Sequence, residues 1–395
     1  MHPALQGLVT IIIGVGGCVG YFFLSNYVLD RFLLPARAFS ASQAASRRRT
    51  GTIFLFALPA LAIAAGALFG GAGIFGLVLA LALIFGLWRL NGFVFGVGDL
   101  SAGRNISHAE MIRPWLFLMP AMIALGLYLT YPVFETLRLS LLERVAGGGY
   151  RFVGAANYTQ MVGEPKFWEA MGNNMLWLFV VPAMSTALGL IVAQLTDRIA
   201  WGNIAKMLIF MPMAISMVGA AVIWKLVYDA RPVGQEQIGI LNALWVALGG
   251  QPQQWLTIPL WNSFFLMAVL IWIQTGFAMV ILSAAIRGIP EETVEAAIID
   301  GAGPVTIFFR IKVPQIMSTI VVVWTTITLV VLKVFDIVYA MTNGQWGTQV
   351  LANYMYDKLF RANDWGVGSA SAMVIMLLVT PILVWNVRNA RREMK

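Results

Sequence analysis

Charge is scarce in this sequence: Asp, Glu, Lys and Arg make up only 11% of its 395 residues, against about 25% in a soluble domain. A water-facing surface cannot be built from so few charges, so most of the chain must sit in a solvent that excludes them. Histidine is nearly missing as well. Only His2 and His108 occur, neither inside an apolar run, and the single cysteine, Cys18, lies within one. An intrachain disulfide is impossible. Haem ligation, a hydrolytic metal centre or a Ser/His dyad inside a membrane would lack their parts, so the residues do not read as an enzyme. The phosphate-cradling pattern G-x-x-x-x-G-K-[ST] is absent too, so the chain has no nucleotide loop of its own. Tandem repeats, low-complexity tracts and a soluble catalytic domain are likewise not visible.

What is present is apolar length. The chain is 59% hydrophobic with a mean hydropathy of +0.80, and bilayer hydrocarbon is the solvent that fits. A net charge of +8 and a pI of 9.7 do not point to nucleic acid, because the basic residues cluster beside apolar runs, as at the cytoplasmic ends of membrane helices. A spanning helix needs about 20 apolar residues. Residues 5–29 qualify, and read as a span rather than a cleavable signal, since a basic n-region is missing and the apolar stretch is too long. The uncharged run 50–88 would extend ~60 Å as one helix. Gly70-Gly71-Ala72-Gly73 divides it into a hairpin, 52–69 and 74–90.

Six further spans follow at 115–139, 175–195, 207–227, 264–285, 316–335 and 369–387. The expected architecture is an all-α polytopic membrane protein of about nine spanning helices, with a region 1–112 ahead of a six-helix core over 113–395. Arg31, Arg37, Arg47, Arg48 and Arg49 mark one cytoplasmic segment, and Arg388, Arg391, Arg392 and Lys395 mark a cytoplasmic C-terminus. Both ends of that stretch agree only with an even number of spans between them, which supports the hairpin and puts the N-terminus outside. Segments 142–173, 229–262 and 337–367 then lie outside; 91–113, 197–206 and 286–314 lie inside. The short apolar stretch 238–249, stopped by Gly249-Gly250-Gln251-Pro252, reads as an interfacial or re-entrant helix.

The inner loop 287–314 carries the most specific pattern. Pro290 suits the first turn of a helix, and Glu291 and Glu292 suit the positive end of its dipole. Asp300-Gly301-Ala302-Gly303-Pro304 must end that helix. A second short helix over 304–312 is expected to stop at Pro314. Ala296, Ala297, Gly301 and Ala302 leave the middle of this helical hairpin with little side-chain bulk, which permits close approach by another protein.

These residues resemble the E-A-A loop of bacterial binding-protein-dependent ABC importers, whose pattern is E-A-A, three residues, G, nine residues and I-x-L-P. Glu295-Ala296-Ala297, Gly301 and Ile311-Lys312-Val313-Pro314 keep those spacings, departing only by Val313 for leucine. The resemblance extends over 113–395: Arg113-Pro114-Trp115, Phe152-Val153-Gly154, Asn157-Tyr158, Thr342-Asn343-Gly344 and Trp365-Gly366-Val367-Gly368-Ser369-Ala370 are similar to segments of maltose-type sugar permeases, most of all those for α-glucosides. It implies a type I importer core and a coupling helix docking on an ATPase. Glu295, Ala296, Ala297, Asp300, Gly301, Ile311 and Pro314 would form that ATPase-coupling set, Glu295 pairing with a basic residue of the ATPase and Gly301 allowing the turn. It further implies a second homologous permease subunit, an ATPase dimer that holds ATP and Mg so that this chain needs no cofactor, an extracytoplasmic sugar-binding protein, and residence in a bacterial inner membrane. The substrate would be a di- or oligosaccharide such as an α-glucoside, maltose or trehalose.

Polar residues within a span are costly and mark pathways. Gln274 and Thr275 fall near mid-depth of the seventh span, between Trp272 and Phe277; Thr325, Thr326 and Thr328 lie in the eighth. Amide and hydroxyl groups beside an aromatic ring suit a sugar, so Gln274, Phe277 and Thr328 are substrate-path candidates; in the maltose-type family these two spans help form the sugar site. The other open reading has Gln274 joining helices and the threonines bonding back to their own helix. Glu135 with Arg138, and Lys333 with Asp336, read as pairs or snorkelling groups at outer span ends. Pro182 and Pro212 are either kinks or ordinary membrane-helix prolines. The rival class, a secondary transporter or channel not powered by ATP, would need carboxylates along the helices and paired repeats; the charges here sit at span ends.

Overall fold

A computed structural model describes residues 125–145, 148–197 and 199–393, with isolated helical positions Gly20, Phe23, Tyr27, Leu118, Ala121 and Met122 before them. The chain divides into two compact units, residues 1–132 and 133–395. Apart from those isolated positions, the expected spans 5–29, 52–69 and 74–90, the first part of 115–139 and the arginine segment 31–49 lie outside the described residues.

The second unit is mostly helical. Helix α1 (Tyr131–Ser140) follows a π turn at Gly126–Thr130. On it, Glu135 and Arg138 form the expected pair, Arg138 Nε donating to Glu135 Oε2 at 2.8 Å. An antiparallel ribbon then departs from the all-helical expectation: β1 (Leu142–Arg144) pairs with β2 (Tyr150–Phe152), Leu142 opposite Phe152. Buried Asn157, in α2 (Ala156–Gly163), pins this ribbon by donating to the carbonyls of Ser140 and Leu142 at 2.8 and 2.9 Å.

Among the described residues, three unbroken helices are long and apolar enough to cross a membrane: α3 (Pro165–Thr196), α7 (Trp261–Arg287) and the stretch Trp365–Val384 of α13 (Trp365–Glu393). Helix α3 starts ten residues before the expected 175. Hydropathy cannot see that extension, because it carries Glu169, Asn173 and Asn174. Asn173 donates to the carbonyls of Gly347 and Gln349 at 2.8 Å, and Asn174 accepts from the Leu351 N–H at 2.8 Å, so the polar turns fasten a loop instead of facing lipid.

One expected span is a bent pair. In place of one helix at 207–227, α4 (Gly202–Phe210) leads through a 3-10 turn (Met211–Ala214) into α5 (Met217–Val227), with a 106° bend. Pro212 lies in the turn, Ile215 is extended at ψ 139°, and Ser216 caps α5 by accepting from the Gly219 N–H at 3.1 Å. A capped new helix offsets the loss of continuity. Pro182, by contrast, sits inside the unbroken α3. The stretch 238–249 contains the short helix α6 (Ile240–Ala247). The expected span 316–335 is met by α10 (Met317–Leu332), which joins the preceding α9 (Pro304–Gln315) at 73°. Helices α8 (Glu291–Ile299), α11 (Asp336–Met341) and α12 (Leu351–Tyr356) complete the unit.

Helix α7 is the centre of the packing and lies most extensively against α3. Its Leu266, Met267, Leu270, Met279 and Leu282 are fully buried with Trp177 and Val181 of α3 and Val323, Ile327 and Val331 of α10. On another side Gly276 lets α4 approach: a methyl group there would stand 2.6 Å from the Ile209 carbonyl oxygen.

Candidate functional site

The loop 287–314 folds as the helical hairpin its spacing calls for. Helix α8 begins at Glu291, with Pro290 as the cap residue just before it rather than inside the first turn. Asp300 ends it and Gly301 takes φ +80°. The Gly301 N–H donates to the Ile298 carbonyl at 3.0 Å and the Ala302 N–H to the Ala297 carbonyl at 2.9 Å, the two bonds of a left-handed glycine cap. A Cβ at Gly301 would meet nothing within 4 Å, so the demand for glycine comes from backbone conformation alone.

The second arm corrects the expectation for Pro314. Helix α9 runs from Pro304 through a π turn (Phe308–Lys312) into Val313–Gln315, so Pro314 lies inside it. The π turn closes with the Val313 N–H donating to the Phe308 carbonyl. Pro314 then falls in the first turn of the next segment, where its missing N–H costs least. The chain turns instead at Ile316, which is buried and has φ −100°.

Exposure sorts the coupling candidates. Glu295, Ala296, Asp300, Gly301 and Pro314 face outward, Ile311 is half-buried and Ala297 is turned inward. Beside them stand apolar side chains absent from the sequence-based set: Ile298, Ile299, Val305 and Phe309 are all exposed, Ile299 at 86%. An apolar patch of this kind on a helical hairpin is a surface suited to protein contact. The available signal was the run Ala296–Ile299, too apolar for a free surface turn.

A charge cluster at the end of the bundle that carries the hairpin was also missed. Asp197, just past the end of α3, accepts from Lys206 of α4 and from Arg287 Nε and Nη2 at 3.0 and 2.8 Å. Ser283 of α7 accepts from Lys206 Nζ at 2.6 Å and donates to Asp197 Oδ1 at 3.2 Å. Burial works to raise the Asp197 carboxyl, but hydrogen bonds and charge from Lys206 and Arg287 outweigh it and hold the group below the usual carboxylate range.

The path candidates lie on neighbouring helices, Gln274 and Phe277 on α7 and Thr328 on α10. Gln274 and Thr328 are each 8% exposed, and Phe277 packs on the core. The threonine hydroxyls bond back within their own helices: Thr275 donates to Ile271, Thr325 to Val322 and Thr328 to Trp324, at 2.7 to 3.0 Å. The Gln274 amide takes no part in these back-bonds. Gly276, two residues on, is where the bend of α4 meets α7.

Comparison with known proteins gives the family and the fold. The family model for the inner membrane component of binding-protein-dependent transport systems matches residues 185–394. The chain is 66% identical over 293 residues to the alpha-glucoside transport system permease protein AglF of Rhizobium meliloti, covering 74% of this chain and 86% of that one. It is 46% identical over 280 residues to the osmoprotective compounds uptake permease protein GgtC of Synechocystis, covering 71% and 99%. In three dimensions it resembles a chain of a bacterial ABC transporter involved in import of the polysaccharide alginate, with TM-score 0.62, 19% identity, and coverage of 72% of this chain and 98% of that chain; the likeness supports the type I importer permease fold. The chain therefore belongs to the inner membrane components of binding-protein-dependent transport systems.

Proposed function

We propose that this chain is one permease subunit of an ABC importer that takes up an α-glucoside or a related di- or oligosaccharide such as maltose or trehalose. The observation that carries the substrate class is the 66% identity to an alpha-glucoside permease across nearly three quarters of the chain. The translocation path is formed with a second homologous permease. An extracytoplasmic binding protein delivers the sugar. The ATP and its magnesium belong to a separate ATPase pair. In this reading all nine spans form, the N-terminus faces outward, and residues 1–112 stand ahead of the core 113–395.

The coupling hairpin is the handle. Its outward Glu295, Ala296 and Ile299 meet the ATPase, and Gly301 fixes the angle between its arms. Closure of the ATPases displaces α8 and α9, and the displacement reaches α7 through Arg287 and α10 through Ile316. Gln274 supplies an amide to sugar hydroxyls, Phe277 a ring face, and Thr328 the remaining lone pairs of a hydroxyl whose proton is already committed.

The experiment is uptake in cells deleted for this chain. Accumulation of labelled α-glucosides should be lost and should return with the gene. The 46% identity to an osmoprotectant permease makes those compounds the proper comparison: a deletion that spares α-glucoside uptake and abolishes only osmoprotectant uptake contradicts the substrate assignment.

A further inference from the structure

Both arms of the coupling hairpin are fastened to one turn of α3. Arg287, the last residue of α7 and the entry to the hairpin, binds Asp197 through two N–H groups. At the exit, Lys312 Nζ donates to Gln194 Oε1 at 3.3 Å. Gln194 and Asp197 are three residues apart, and such positions are neighbours on one face of a helix. The same carboxylate also takes Lys206 from α4 and Ser283 from α7. Asp197 and Lys206 are only 14% and 15% exposed, whereas the Arg287 side chain is 59% exposed. An ion pair withdrawn from water adds little net stability, while leaving one member unpaired is strongly unfavourable. Such a cluster therefore fixes positions more than it stabilises the fold.

We propose that Asp197, with Gln194 one turn before it, is a positioning residue that clamps both arms of the coupling hairpin to α3, so that the hairpin, α3 and α4 move together. The hairpin cannot then swing on α7 alone, and its displacement is delivered to the helices around the path. This rests on the reading of 287–314 as the ATPase-docking hairpin.

The test uses the whole importer in proteoliposomes, with second permease, ATPase pair and binding protein, and reads sugar imported per ATP hydrolysed. D197N should retain the ATPase on purification and continue to hydrolyse ATP, while sugar per ATP falls about two- to thirtyfold, the range for residues along a coupling route. D197E, which keeps the charge, should recover most of that loss. R287Q, altered at the exposed partner, should lose coupling in the same direction and covers the case in which D197N fails to insert. Unchanged sugar per ATP in both D197N and R287Q overturns the clamp. So does loss of ATPase capture in both, since the cluster would then belong to the docking surface. G301D separates the underlying reading: if it keeps ATPase capture and transport, the hairpin is not the handle, whatever Asp197 does.

Discussion

A φ of +80° at Gly301 sets the angle of the hairpin with a single residue. The left-handed conformation costs an L-residue about 1–2 kcal/mol. Gly301→Ala should therefore weaken the cap by about that much with no steric clash, visible as faster proteolysis of the loop. At Ile299, 86% exposed, substitution by Asp should abolish ATPase capture in pull-down while leaving the permease folded; retained capture means the patch is not the docking face. Gln274→Leu removes a neutral hydrogen bond to sugar and should raise the apparent KM for transport roughly two- to tenfold. An unchanged KM takes Gln274 off the path. For Asp197 the sign is fixed by its lowered pKa: the clamp is fully formed above the unfolded carboxylate value, about 3.9, and is lost as pH falls through the folded value. Sugar per ATP should thus owe no pH dependence to Asp197 from about pH 5 upward. Gly301 was legible in sequence because its demand is local. Asp197 was not, since Ser283 and Arg287 lie 86 and 90 residues away and only folding brings them to it.

Among the elements, the bend between α4 and α5 is the feature hydropathy could not register, because both halves are apolar. Pro182 and Pro212 show why proline alone does not predict a break. At Pro182 the helix continues, with Val181 and Pro182 both buried. At Pro212 the chain is followed by an extended Ile215 and a capping Ser216 that starts a new helix. The readable signal was the pair Pro212 and Ser216 together. The bend meets α7 at Gly276, where a Cβ would press on the Ile209 carbonyl. Gly276→Val should cost about 1–3 kcal/mol through overpacking, seen as a lower melting temperature in detergent. An unaltered Tm would show that α4 can withdraw from α7 freely. The ribbon at 142–152 and the polar start of α3 escaped for a related reason: both are defined by hydrogen bonds of the buried asparagines Asn157 and Asn174 and the half-buried Asn173, not by apolar pattern.

For the molecule as a whole, scarcity of charge gave the membrane, and the E-A-A spacing gave the family, because both are properties of composition and local order. The long helices α3, α7 and α13 cover the stretches where apolar length placed spans, α10 falls within the expected span 316–335, and the bend between α4 and α5 breaks the span expected at 207–227. What distributes force between hairpin and bundle depends on long-range packing around α7 and was not readable in advance. The central claim is that this chain moves sugar only as part of an ATP-driven assembly. Its most direct test is α-glucoside accumulation in sealed proteoliposomes holding this chain with its partner permease, ATPase pair and binding protein. Accumulation should require ATP and every component, and the chain alone should transport nothing. Accumulation by the chain alone, driven by an ion gradient with no nucleotide present, contradicts the account.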